Sequence, residues 1–142
     1  MIKINAECRH QMTDCNIIYS YIHGGKGIVT LEAPSGKSHM YAFYRPRNSD
    51  EFPNDVIFVY AVHNLQKLFY VGMIEQDRFR VTRHSRFLED TEIVKGVSYI
   101  MKMAQGKITK SPMKLYHEGI CCRCGRPLTH EKSVKQGIGS RC

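Results

Sequence analysis

Lys67-Leu-Phe-Tyr-Val-Gly-Met-Ile-Glu75, Gln76-Asp77, Arg78-Phe-Arg-Val-Thr82 is the stretch whose reading decides the fold. Leu68, Tyr70 and Ile74 oppose Phe69, Val71 and Met73, and then Arg78, Arg80 and Thr82 alternate with Phe79 and Val81. A period of two is strand spacing. The short polar Gln76-Asp77 step is a turn, so the two segments read as antiparallel neighbours. Arg78 and Arg80 share the face opposite Phe79 and Val81, which makes theirs the solvent side.

The same pattern extends upstream. Val56–Val62 is a β-rich apolar run, closed by a His63-Asn64-Leu65-Gln66 turn. Pro46–Asn54 carries two prolines, two asparagines and two acids, which makes it a loop. Val29, Leu31 and Ala33 alternate with Thr30 and Glu32. After Pro34-Ser35-Gly36, Met40, Ala42 and Tyr44 alternate with Tyr41 and Phe43, completing a hairpin. Ile17–Ile22 reads as a further short strand, ended by His23-Gly24-Gly25.

Downstream of Thr82 the period changes. Ile93, Val94, Val97, Ile100, Met101 and Ala104 lie on one helical stripe, with Asp90 or Thr91 as cap and Gly106 as stop. The expected fold is α+β: an antiparallel meander of about five strands packed by one helix, with a small C-terminal zinc module. Ser111-Pro112 marks the boundary, giving a core over 1–110 and a module over 111–142.

The 142 residues include 21 Lys plus Arg against 13 Asp plus Glu, a net charge of +8. That balance favours an acidic partner, of which nucleic acid is the commonest. No apolar run approaches the roughly 20 residues that cross a bilayer. Met1–Cys8 is too polar for a secretion signal, so a reducing cytoplasm and no membrane are expected. There, clustered cysteines read as metal ligands before disulfides.

The cluster is in the tail. Cys121-Cys-Arg-Cys124-Gly125 sets two thiolates on a tight turn, and Gly137-Ile-Gly139 lets the chain bend to deliver Cys142. Zinc takes four nitrogen or sulfur ligands in a tetrahedron. The preferred fourth is His117, approaching from a preceding strand, ahead of His130 and then Cys122. A redox Cys-x-x-Cys belongs after a strand in a βαβ setting, which is absent here. Cys8, His10 and Cys15 lack a fourth partner and read as ordinary residues. His23, His39, His63 and His84 read as structural or surface side chains, and Glu118 and Glu131 as single carboxylates on exposed turns.

The sequence Cys121-x-x-Cys124-Gly-Arg-Pro-Leu-Thr129, with Ser133 and Gly137-Ile-Gly139-x-x-Cys142, resembles a family of small phage and prophage proteins. These carry a zinc-binding domain of unknown function. His117-Glu118-Gly119 before the first cysteine matches that pattern, and Ser140 departs from it, standing where proline is usual. The likeness extends in kind to Val29–Lys37, Tyr70-Val-Gly72 and Arg78–Thr82. It implies zinc and a phage setting in a host cell's cytoplasm, with no particular activity.

Two functions compete. One is a non-catalytic protein that binds nucleic acid, or a host nucleoprotein complex, through Arg78, Arg80, Arg83, Arg86, Arg123 and Arg126. Lys132, Lys135 and Arg141 lie beside the metal ligands. Tyr41, Phe43, Tyr60 and Tyr70 offer stacking platforms only if they face outward; alternating strand aromatics are more often core. The other is a protein-binding inhibitor of a host defence or nucleic-acid-processing complex. No phosphate loop, paired carboxylates or His-Glu-x-x-His helix points to an enzyme.

Overall fold

Both central residues of the Gln76-Asp77 turn have positive φ, 52° and 60°. That is the mirror-image turn whose twist matches that of two antiparallel strands. It joins β5 (Lys67–Glu75) to β6 (Arg78–Arg80) in the expected register, Ile74 opposite Phe79 and Met73 opposite Arg80. The computed structural model describes residues 2–46 and 55–142. Beyond Pro46, the expected 46–54 loop lies outside the described residues.

The meander is present as β2 (Lys26–Glu32), β3 (Ser38–Tyr44), β4 (Val56–His63), β5 and β6, each pairing with the next. The sheet has more strands than expected. β1 (His10–Gln11) and β7 (Lys114–His117) extend it to seven, in the order β1-β7-β2-β3-β4-β5-β6. Every pairing is antiparallel. Because β7 is hydrogen-bonded between β1 and β2, the sheet crosses the boundary expected at residue 111, and Leu115 joins the common core.

Among the described residues there are three α-helices rather than one. Residues expected as a strand at Ile17–Ile22 form α1 (Cys15–Ile22). The Asp14 carboxylate accepts the free Asn16 amide at 2.8 Å, and Ile18, Tyr21 and Ile22 are buried at i, i+3, i+4 spacing. The expected stripe forms α2 (Glu92–Ala104), capped by Thr91, whose Oγ1 accepts from Val94. The third, α3 (Glu131–Gln136), buries only Ser133 and stops at Gly137 in the left-handed region.

One face of the sheet carries the core. Val29, Leu31, Tyr41, Phe43, Ile57, Val59 and Ile74 meet Ile18 and Tyr21 of α1 and Val97 and Ile100 of α2. Tyr41 donates its hydroxyl to the Ile93 carbonyl at the top of α2, where Gly96 leaves room for it. The opposite face is crossed by residues 2–9, with Arg9 over the Tyr116 ring and the Asn5 amide donating to the Glu118 carbonyl at the β1-β7-β2 end, and the Ile2 amide donating to the Leu65 carbonyl in the turn between β4 and β5.

Candidate functional site

The Sγ atoms of Cys121, Cys124 and Cys142 all lie within 4.8 Å of one another, the one such group among the described residues. All three are free thiols. The Cys121–Cys124 turn is closed by the Gly125 amide donating to the Cys121 carbonyl at 2.9 Å, with Gly125 at φ 76°. A second turn, Cys142 amide to Gly139 carbonyl at 3.0 Å, brings the last cysteine back. The Cys121 sulfur receives the Arg123 and Gly139 amides at 3.4 and 3.3 Å. Burial alone would raise this thiol, but the Gly139, Cys124 and Arg123 amides bring it down to about 7. Cys142 is pushed up to about 11, because it shares its proton with Cys124 and Cys121.

This donor set fits a soft metal ion. Three thiols with amide-stabilised sulfur form the ligand chemistry that zinc takes, and about 2.3 Å Zn–S bonds put sulfurs about 3.8 Å apart in a tetrahedron. Three cysteines held this closely are able to hold a metal ion.

The structure does not bring His117 to the thiols. Val29 opposite His117 and Leu31 opposite Leu115 fix these strand residues on the core face. The His117 ring is fully buried and stacks on Tyr21, with centroids 5.4 Å apart. Its Nε2–H donates to the Val134 carbonyl and its Nδ1 accepts the Gly119 amide at 3.1 Å. Burial holds its pKa below the usual histidine value. His117 therefore ties strand β7 to helix α3. Cys122 also turns away. Its thiol lies against the Ser20 carbonyl and Gly24, its carbonyl accepts the Lys26 amide, and burial pushes it up to about 12. His130 lines the same cleft as the three thiols, although its ring lies outside their 4.8 Å group, and it has no side-chain capping bond on α3.

Glu118 is corrected too. It is 3% exposed rather than on an exposed turn, and its carboxylate accepts from Thr30 Oγ1 at 2.7 Å and from Arg9 Nε at 3.1 Å. It pins residues 2–9 to β2. Cys8, His10 and Cys15 form no metal group with one another.

The six arginines expected at a nucleic-acid surface do not form one patch. Arg78 and Arg80 are exposed on β6, followed by Arg83 and Arg86, the latter over the Phe69 ring at 5.6 Å. Arg123 and Arg126 sit in the thiol loop. Five strand steps separate β7 from β6, about 24 Å at about 4.8 Å per step. Of the four aromatics, Tyr41 and Phe43 are core, whereas Tyr60 and Tyr70 face the side without helices. Tyr44 and Phe58 share that side and were not singled out in the sequence; cross-strand register is the signal that finds them.

No helix among the described residues is long and apolar enough to cross a membrane. A family model described as "Family of unknown function (DUF6011)" matches residues 115–142, the segment holding β7, the thiols and α3. No curated protein matches the chain, and no solved structure does.

Proposed function

We propose that the chain is a non-catalytic, zinc-stabilised protein that binds nucleic acid through a basic surface. The observation that carries this reading is the position of Arg78 and Arg80. Both are exposed on the helix-free side of the sheet, in a chain of net charge +8, and neither makes an ion pair among the described residues. Charges left unpaired by the fold are available to phosphates. In this reading Cys121, Cys124 and Cys142 hold the zinc ion, with His130 as the fourth ligand. Zinc supplies a cross-link between the 121–124 turn and the 139–142 turn, a structural role. A fourth protein ligand would leave no position for a reacting water.

The test is fluorescence anisotropy of the zinc-loaded chain with short DNA and RNA across a salt series. Each neutralised duplex phosphate contributes about 0.9 to the slope of log K against log salt. Changing Arg78 and Arg80 together to Glu is expected to weaken binding to all sequences and flatten that slope by about 2. Binding no tighter than that of an unrelated protein of equal charge would overturn the reading. A protein partner, as an inhibitor of a nucleic-acid complex requires, would then be the target to seek.

A further inference from the structure

We infer that the nucleic acid is single-stranded and that its bases stack on an aromatic platform on the helix-free face. The inference rests on the reading above and narrows it. Cross-strand register puts Tyr44 opposite Phe58, Phe58 opposite Met73, Tyr60 opposite Tyr70, and Met73 opposite Arg80. Directly opposed residues of antiparallel strands point to one side. One side of β3–β6 thus carries Tyr44, Phe58, Tyr60 and Tyr70, with Arg78 and Arg80 at its edge.

Such a face on an antiparallel sheet is ordinarily polar. Here it is apolar and open: Tyr44 is 44% and Leu68 47% exposed. Tyr70 meets Phe58 and Tyr60 edge-on, at 6.1 and 5.8 Å between centroids. Tyr60 and Tyr70 thus set an edge of one ring against the other, and Tyr44 makes no ring pair among the described residues. Tyr44, Tyr60 and Leu68 also line an apolar groove of about 400 Å³ that reaches Lys26.

Charge selects the occupant. Lys26 stands opposite Tyr44 on one flank, and Arg78 and Arg80 stand on the other. Four strand steps separate β2 from β6, about 19 Å. Glu75, opposite Arg78, partly offsets that residue and leaves Arg80 as the less compensated cation. Rings between two cationic flanks match a strand whose phosphates meet the flanks and whose bases meet the rings. A duplex keeps its base faces stacked inside and cannot use the rings. An acidic protein surface would use the flanks but gains no planar partner for the tyrosines.

The experiment uses the full chain loaded with zinc, a labelled thymidine 20-mer and a duplex of equal length. The chain has eight tyrosines and no tryptophan, so stacking is read as quenching of tyrosine emission. Tyr44→Leu with Tyr60→Leu is expected to lower single-strand affinity about tenfold per ring, with duplex affinity and salt slope unchanged. Tyr44→Phe with Tyr60→Phe keeps the rings and is expected to keep the affinity. Circular dichroism and melting of each variant confirm that the sheet is retained.

Single-strand binding that is indifferent to the Leu pair but lost in the Arg78→Glu, Arg80→Glu variant would overturn stacking and leave the broader reading standing. No binding to either nucleic acid would overturn both. Concentration-dependent dimerisation in sedimentation, abolished by Tyr44→Lys, would overturn the platform as a nucleic-acid site and assign the face to a second copy of the chain.

Discussion

Replacing His117 with Leu and His130 with Ala is expected to separate the fold from the metal, because the proposed function gives the two histidines opposite roles. His117 is fully buried, with both ring nitrogens bonded to backbone groups. Leucine keeps the apolar burial but orphans the Val134 carbonyl and the Gly119 amide. Each buried orphan costs about 1–3 kcal/mol. The lost stacking on Tyr21 adds about 0.5–1.5 kcal/mol. Val134 is half-buried, so its carbonyl can turn partly to water, which places the total near the lower end, about 3 kcal/mol. At about 2–4 °C per kcal/mol for a chain of this size, the melting temperature falls by about 10 °C.

His130→Ala removes an exposed side chain without a capping bond, so the metal-free melt moves by no more than about 0.5 kcal/mol. Zinc affinity, read by competition with a chromophoric chelator, falls by more than the about 10–100-fold typical of losing an outer hydrogen-bond partner of a ligand. His117→Leu keeps one zinc per chain. Loss of zinc by His117→Leu with an unchanged metal-free melt would overturn the structural role of His117. The ligand role of His130 is refuted if His130→Ala binds zinc as tightly as the parent.

The stability gap between the parent and His117→Leu is expected to depend on pH. Burial depresses the His117 pKa, so its contribution is complete above the unfolded value of 6.5 and is lost as pH falls through 6.5 toward the folded value. Urea midpoints at pH 7.5 and 5.5 are expected to show the gap narrowing at the lower pH; a widening gap would contradict a neutral buried ring. Arg9→Ala leaves the Glu118 carboxylate with Thr30 alone, and because Arg9 is one-third exposed the loss is about 1–3 kcal/mol. Adding Glu118→Gln to that variant is expected to restore part of it in a double-mutant cycle, and strict additivity would show that the pair is uncoupled. Cys121→Ser is expected to release the metal and raise amide exchange in β1, β7 and α3 while β3–β5 stay protected. Uniform exchange across the sheet would show that the metal holds the whole core.

The meander was legible because β2–β6 each carry a period-two pattern and are separated by polar turns. β1 and β7 were harder to read, since two and four residues give too few alternations to count. Residues 17–22 misled because Ile, Tyr, Ser and Ile suit a strand as well as a short helix. The deciding signal is Asp14, whose carboxylate caps the first turn only if a helix begins at Cys15. Helix α3 is nearly all polar, so it leaves little hydrophobic stripe, and its clearest mark is the glycine that ends it.

The three thiols were legible because a two-residue gap and a glycine hinge are local geometry. The fourth ligand was not, because His117 and His130 are both near the cysteines in sequence and spacing alone does not rank them. Strand parity sets His117 apart from the thiols, while the proposal of His130 rests on the cleft it shares with them. Once β7 pairs with β2, His117 shares Val29's face, and that face belongs to the core. The same parity argument separates Tyr41 and Phe43, which face the helices, from Tyr44, which faces away one residue later. In the turn beyond β7, two adjacent cysteines have opposite tasks: Cys121 turns to the other thiols, and Cys122 fills the space beside Gly24 that any larger residue there would take. The thiol loop is thereby fastened to the α1–β2 connection and, through Lys26, to the first strand of the proposed platform. Loss of the metal is therefore expected to reach the Lys26 flank before it reaches Arg78 and Arg80, which stand at the far edge of the sheet.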